Sequence, residues 1–129
     1  PAQARQSGHG AEHPGRLEFG PVLIVNGEVN QGVYSGNSGY NPRTAIGQRQ
    51  GGAVIFVCAD GRQAGSIGAT YKDIIDIMQE YGAYNACNMD GGSSTIMYYR
   101  DTAGTVNRIN SYSVLQSEPR RMPDFWMVK

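Results

Sequence analysis

Apolar residues follow two rhythms along this chain. Short apolar blocks bounded by glycine, asparagine and proline recur through most of its length, whereas one stretch repeats at helical spacing. The first block, Val22 to Val25, runs into Asn26-Gly27, a strong seed for a tight hairpin, and a polar strand is expected to return after it. "SGNSGYNP" reads as a loop. "RTAIGQ", "RQGG" and "AVIFVCADG" read as a second hairpin, in which Ala53 to Cys58, apolar on both faces, predicts a buried central strand. "AYNACNM" predicts a strand re-entering the sheet, "TIMYY" one leaving it, and "PDFWMV" a last strand.

The helical spacing falls on Tyr71, Ile74, Ile75, Met78 and Tyr81, which predicts one long helix over about residues 70–81. Thr70 and Asp73 have the spacing of a capping box, and Gly82 suits the position just past the C-terminus. The fold class is therefore α+β: a mixed, mostly β sheet packed with one long helix, and rich in loops. Residues 1–16, small, polar and broken by proline and glycine, read as a flexible arm or linker, leaving 17–129 as one domain.

The 129 residues suffice for one compact core and not for two. Basic and acidic residues number 11 each, which argues against bulk nucleic-acid or anionic-membrane binding. No apolar run reaches the length of a membrane span, and no signal peptide opens the chain. Cys58 and Cys87 fit small buried hydrophobes; a disulfide between them is open but makes no framework.

Four motifs have chemical potential. "HGAEH" spaces His9, Glu12 and His13 like a zinc-peptidase helix, but its glycines and the following Pro14-Gly15 argue against any helix there, so the metal reading is set aside. Arg43 follows a proline at a strand start and can fork onto a phosphate or carboxylate; the bland reading is a solvated arginine. Asp60-Gly61-Arg62 lies just past the end of an apolar strand, as either a site or an ordinary Asp-Gly turn.

"NMDGGSST" is the strongest. Asp90 emerges from an apolar strand, Gly91 and Gly92 let backbone approach a ligand and gather N–H groups into an anion nest, and Ser93, Ser94 and Thr95 add hydroxyl donors. It lacks the lysine of a phosphate-binding loop and the spacing of a nucleophile elbow. The bland alternative is a self-bonded turn between two strands. Two acids and two arginines together suit a negatively charged, sugar-like substrate.

In this order, "FGPVLIVNGE", "NPRTAIGQ", "ADGRQ", "GATYKDIIDIMQEYGAYNACNMDGGSST" and "SEPRRMPDFWMV" resemble the phosphodiester glycosidase family, from about Leu17 to Val128. That family includes the enzyme that uncovers mannose 6-phosphate by removing N-acetylglucosamine, and bacterial envelope proteins. Where the family often has a third glycine after its aspartate, this chain has Ser93. Family members look longer, so the resemblance implies the C-terminal part of a domain, with an upstream half as its possible complement.

The resemblance implies a hydrolase of sugar-1-phosphodiesters acting outside the cell or in its envelope. Arg43, Asp60 and Asp90 would form the catalytic set, with nucleophile and base unassigned between the two acids. Arg62, Asn88, Gly91, Gly92, Ser93, Ser94 and Thr95 would bind substrate, and Glu118 and Arg121 would support. The partner is a phosphorylated sugar or glycan. No cofactor or metal is required, though Asp90 and nearby oxygens are where Ca²⁺ or Mg²⁺ would sit. The alternative is a non-catalytic glycan- or phosphate-binding module, or one half of a two-part enzyme.

Overall fold

The structure, a computed structural model, describes residues 3–6, 19–111, 118 and 120–128. Its centre is a five-stranded sheet. In chain order the strands are β2 (Val22–Val25), β3 (Glu28–Val29), β4 (Arg43–Gln48), β5 (Val54–Ala59) and β6 (Asn85–Asn88), and across the sheet they run β3-β2-β6-β4-β5. Helix α2 (Tyr71–Glu80) packs on one face. β1 (Gln3–Gln6) pairs with β9 (Asp124–Met127), and β7 (Tyr98–Arg100) pairs with β8 (Val106–Arg108), as two separate ribbons. The fold is α+β, as the hydrophobic pattern implies.

The Asn26-Gly27 turn forms as expected, with both residues at positive φ. The returning strand is shorter than expected. It ends after Val29 because the Asn30 side chain accepts from the Val33 N–H at 3.3 Å and starts a one-turn helix, α1 (Gln31–Tyr34). A register shift in β2 between Val22 and Ile24 turns the consecutive Leu23 and Ile24 into the core.

The expected central strand is an edge strand. β5 pairs with β4 alone, and the central place goes to β6, which pairs with both β2 and β4. Its two-sided apolar character has another cause. Ile55, Val57 and Ala59 lean on the core under α2, while the alternate Phe56 and Cys58 are half-buried on the opposite face. Both cysteines are free thiols. β9 matches the expected last strand, but its partner lies in the segment read as an arm: Gln3–Gln6 form a strand whose pairing is supplied across the whole length of the chain. "HGAEH" lies outside the described residues.

Helix α2 bears out its sequence signals closely. Asp73 N–H donates to Thr70 Oγ1 at 3.1 Å, and the Asp73 carboxylate accepts from Thr70 N–H at 2.8 Å. At the other end Ala83 N–H reaches Met78 O and Gly82 N–H reaches Gln79 O, a Schellman closure with Gly82 at φ 75°. Ile74, Ile75 and Met78 are fully buried, whereas Tyr81, at the cap, is exposed. A Cβ on Gly47 would lie 2.7 Å from Met78 Sδ, so that glycine lets the helix sit directly on β4.

The bonds from Thr70 backbone and hydroxyl hold the Asp73 carboxyl below its ordinary value of 3.8. Its contribution is therefore full at neutral pH and is lost as pH falls through that lowered value. Asp73→Ala is expected to cost about 0.5–1 kcal/mol near neutral pH. Thermal melts of the two proteins should converge as the medium is acidified through the carboxyl's titration, and a gap that stays constant would refute the assignment.

Candidate active site

Antiparallel pairing brings the start of β4 and the ends of β5 and β6 to one end of the sheet, and the N-terminus of α2 faces the same end. A cavity of about 360 Å³ opens there, walled by residues 19–20, 41–43, 62, 71 and 88–92.

The tripeptide Asn41-Pro42-Arg43 is its spine. Asn41 and Ala69 exchange both backbone hydrogen bonds, at 3.2 and 2.9 Å, and Gly92 N–H donates to Pro42 O at 2.8 Å. Three glycines press against this spine with no room for a side chain. A Cβ on Gly61 would lie 2.8 Å from Pro42 N, one on Gly68 2.6 Å from Asn41 backbone, and one on Gly91 2.7 Å from Pro42 O.

Arg43, expected to hold a phosphodiester, is 8% exposed and already heavily bonded. Its Nε donates to Ala69 O at 3.1 Å and its Nη2 to Ser38 O and Gly39 O at 2.9 and 3.1 Å. The guanidinium stacks on the Tyr71 ring, 4.0 Å from its centroid. It borders the cavity but spends these donors on the wall. Arg62 is the guanidinium on the open side. Its Nη2 donates to Asn41 Oδ1 at 2.9 Å, and it lies 3.5 Å from where a Gly92 Cβ would be. Arg62 is at φ 57°, a left-handed conformation uncommon for a long side chain.

The two aspartates separate. Asp90 lines the cavity and forms an ion pair with Arg120. Asp60 does not line it: both carboxylate oxygens accept from Ser111 N–H, at 3.0 and 3.1 Å, tying the exit of the β7–β8 ribbon to the end of β5. The hydroxyl residues separate as well. Residues 92–94 curl into a 3₁₀ turn that buries Ser94 and Thr95, and none of Ser93, Ser94 and Thr95 lines the cavity. The expected anion nest does not form from the amides of Gly92, Ser94 and Thr95, which donate to Pro42, Gly91 and Gly92 carbonyls. Asn88, Gly91 and Gly92 do line the cavity, with Asn88 buried.

Three contributors escape the motif reading. Asn41 carries no signal beyond preceding a proline. Tyr71 reads as a core helix position yet stacks on Arg43. Arg120 stands in the tail motif beside the Arg121 chosen for support, and also donates its backbone N–H to Ser93 O at 3.3 Å. Burial pushes the Cys58 thiol above its usual range, with the Thr44 hydroxyl opposing and the Asp60 charge adding. Among the described residues, no three His, Cys, Asp or Glu side chains gather in a metal-binding group.

A small cavity at strand ends, lined by a carboxylate, a guanidinium and glycine-thinned walls, is a candidate small-molecule site. The chain belongs to the phosphodiester glycosidase family, whose pattern matches residues 4–129. It is also similar to the SPbeta prophage-derived uncharacterized protein YomE of Bacillus subtilis (strain 168), 40% identical over 55 residues that cover 43% of this chain and 8% of that protein. A crystal structure of a hypothetical protein from Synechocystis is 35% identical, with a TM-score of 0.48, over 60% of this chain and 15% of that one. The chain thus spans a small part of either relative's length.

The glycine contacts on the spine yield a contrast. Gly68→Ala combines φ 115° with a 2.6 Å backbone clash and is expected to cost about 3 kcal/mol or more. Gly65→Ala, with nothing within 4 Å, should change stability by less than ~0.5 kcal/mol. Urea denaturation of both variants reads the difference, and equal midpoints would show that the spine tolerates displacement.

Proposed function

We propose that this site hydrolyses the glycosidic bond of a sugar-1-phosphodiester of the N-acetylglucosamine-1-phosphodiester type, drawn from glycan or cell-envelope material. One observation carries the reading: a carboxylate, Asp90, and a guanidinium, Arg62, border the same cavity beside two glycines. Water adds to the anomeric carbon, the bond from that carbon to the phosphate oxygen breaks, and a phosphomonoester leaves with the bonding electrons. Asp90 stabilises the oxocarbenium-like centre and receives the proton of the entering water, while Arg62 balances charge growing on the departing phosphate.

A phosphomonoester leaves without much protonation. A second carboxylate in the cavity is therefore unnecessary, which agrees with Asp60 bonding Ser111 instead. Arg43 serves by holding the wall rather than by clamping phosphate. The substrate is a phosphorylated sugar or glycan, an upstream part of the domain completes the cavity walls, and the extracellular space or cell envelope is the matching location. Among the described residues, no helix is long and apolar enough to cross a membrane.

The pairing of Asp90, the carboxylate at the cavity, with Arg120 favours one competing reading, a glycan- or phosphate-binding module without turnover. The variants separate the two. Asp90→Asn should lower kcat/KM by roughly 10²–10⁴-fold on sugar-1-phosphodiesters, with a melting temperature close to the parent's because the lost ion pair is half-exposed. Arg62→Ala should cost about 10²-fold. Parental turnover by Asp90→Asn across a panel of such diesters sinks the catalytic reading. Saturable calorimetric binding with no turnover selects the module, and equal, negligible affinity for phosphorylated and plain sugars rejects both.

A further inference from the structure

The β7–β8 ribbon buries neither of its faces and yet is built at both ends. Every residue of its two strands is exposed, with Tyr98, Tyr99 and Val106 at 53, 56 and 55%. A two-stranded ribbon with neither face packed is marginal by itself. At the tip the Asp101 carboxylate accepts from the N–H groups of Ala103 and Thr105, at 3.0 and 2.8 Å, and from Asn107 Nδ2 at 3.4 Å. At the base the buried Asn110 accepts from Met97 N–H at 2.7 Å and donates to Thr95 O at 3.0 Å, while Ser111 is tied to Asp60. The chain thus fixes two tyrosines and a valine in contact with water, which a hairpin serving only as a connection does not require.

Pairing sorts these side chains onto two faces. Tyr98 stands opposite Arg108 and Arg100 opposite Val106, and residues two apart on a strand share a face, so these four lie together on one side. Tyr99 and Asn107 lie on the other. The first face joins a tyrosine ring and a valine to two guanidinium groups at diagonal corners. Asp101, the single acid between residues 96 and 111, is taken up by the tip. That face is apolar and cationic at once. Tyrosine offers a flat amphipathic ring at small loss of side-chain freedom, a surface on which the C–H face of a sugar packs, and arginine pairs its planar donors with phosphate oxygens. The ribbon also starts beside the cavity. It follows the 3₁₀ turn that begins at cavity-lining Gly92, with only residues 95–97 between that turn and β7.

We propose that the face of Tyr98, Arg100, Val106 and Arg108 binds a phosphorylated glycan chain, so that the ribbon holds a polymeric substrate while the cavity takes the unit to be cleaved. The inference deepens the phosphodiester-glycosidase reading and rests on it for the cavity's part, whereas binding at the ribbon does not depend on turnover. Repeated sugars and phosphates match a face with both a ring and cations. A neutral glycan leaves the two arginines without an anion, and a polyanion without sugars leaves Tyr98 and Val106 without an apolar partner. Nucleic acid matches less well, because basic and acidic residues balance at 11 each over the chain.

The test uses the full chain, with phosphorylated dextran, plain dextran and inorganic polyphosphate as calorimetric probes. Phosphorylated dextran should bind saturably, about tenfold or more tighter than either of the others, and more weakly as salt rises. Tyr98→Ala and Arg100→Ala should each weaken it roughly 5- to 10-fold, whereas Tyr99→Ala, on the other face, should stay within about twofold. Turnover should show the same contrast. Tyr98→Ala and Arg100→Ala should lower kcat/KM, through KM, on a glycosyl phosphodiester grafted to dextran, yet keep the parental value on the free glycosyl methyl phosphodiester. The inference is overturned if plain dextran, polyphosphate or single-stranded DNA binds as tightly as phosphorylated dextran, or if Tyr99→Ala has the larger effect. Ribbon variants that abolish self-association in sedimentation, and leave glycan binding unchanged, also overturn it. Should Tyr98→Ala not fold, by circular dichroism, Arg100→Gln decides in its place. Should no diester be turned over, the catalytic reading has failed and the binding ratios alone decide the ribbon. Should the free diester be turned over with no ribbon-dependent gain on the grafted one, the ribbon inference has failed and the catalytic reading stands.

Discussion

The Arg43 guanidinium sits buried among the carbonyl oxygens of Ser38, Gly39 and Ala69 with its face on Tyr71, and a charge so placed must be bonded or the segment cannot close. Those four partners come from the loop before β4, the residue preceding the α2 cap, and the first turn of α2 itself. One side chain therefore fixes how the helix and the loop meet the end of the sheet. Gly61, Gly68 and Gly91 then press onto the backbone that Arg43 anchors, and each would collide with it if given a side chain. The cavity wall is thus made of backbone against backbone, with no room for a side chain at Gly61, Gly68 or Gly91.

This construction explains why the two aspartates differ in placement although both follow apolar strands. β5 ends at the sheet edge, and the carboxylate that follows it finds the Ser111 amide on the returning β7–β8 ribbon. β6 ends at the sheet centre, so Asp90 emerges where the spine, Arg62 and the cavity converge. Position in the sheet, rather than the local motif, sorts them. Arg120 balances Asp90 from the C-terminal segment, bonding the same loop through both its backbone and its side chain.

Local chemistry was legible in the sequence wherever neighbours along the chain decide the outcome. The Thr70–Asp73 box, the Gly82 closure, the Asn26-Gly27 turn and the buried Ile74, Ile75 and Met78 all follow from spacing within a few residues. What depends on distant partners was not legible. The apolar run of β5 reads as central because periodicity cannot tell a neighbouring strand from a packed face, and Gln3–Gln6 read as an arm because their partner lies at the other end of the chain. The site was half legible for the same reason. Asn88, Asp90, Gly91, Gly92 and Arg62 do meet at one cavity, but the 3₁₀ turn after Gly91 carries the three hydroxyls away, and the carbonyls that occupy Arg43 belong to a loop with no motif.

Arg62 gives the cavity its reaching cation, and its backbone states a preference. A left-handed φ suits glycine or asparagine at a turn and costs an arginine of order 1 kcal/mol, so the position keeps a side chain that the turn alone would not select. That side chain is exposed, and its Nη2 bonds Asn41 Oδ1 at the cavity wall. An arginine held there against its own conformational preference, across from Gly92 and beside Asp90, makes sense if planar paired donors are wanted at that spot. A lysine on an unstrained loop would offer the same charge, but not the fixed fork that matches two oxygens of one phosphate.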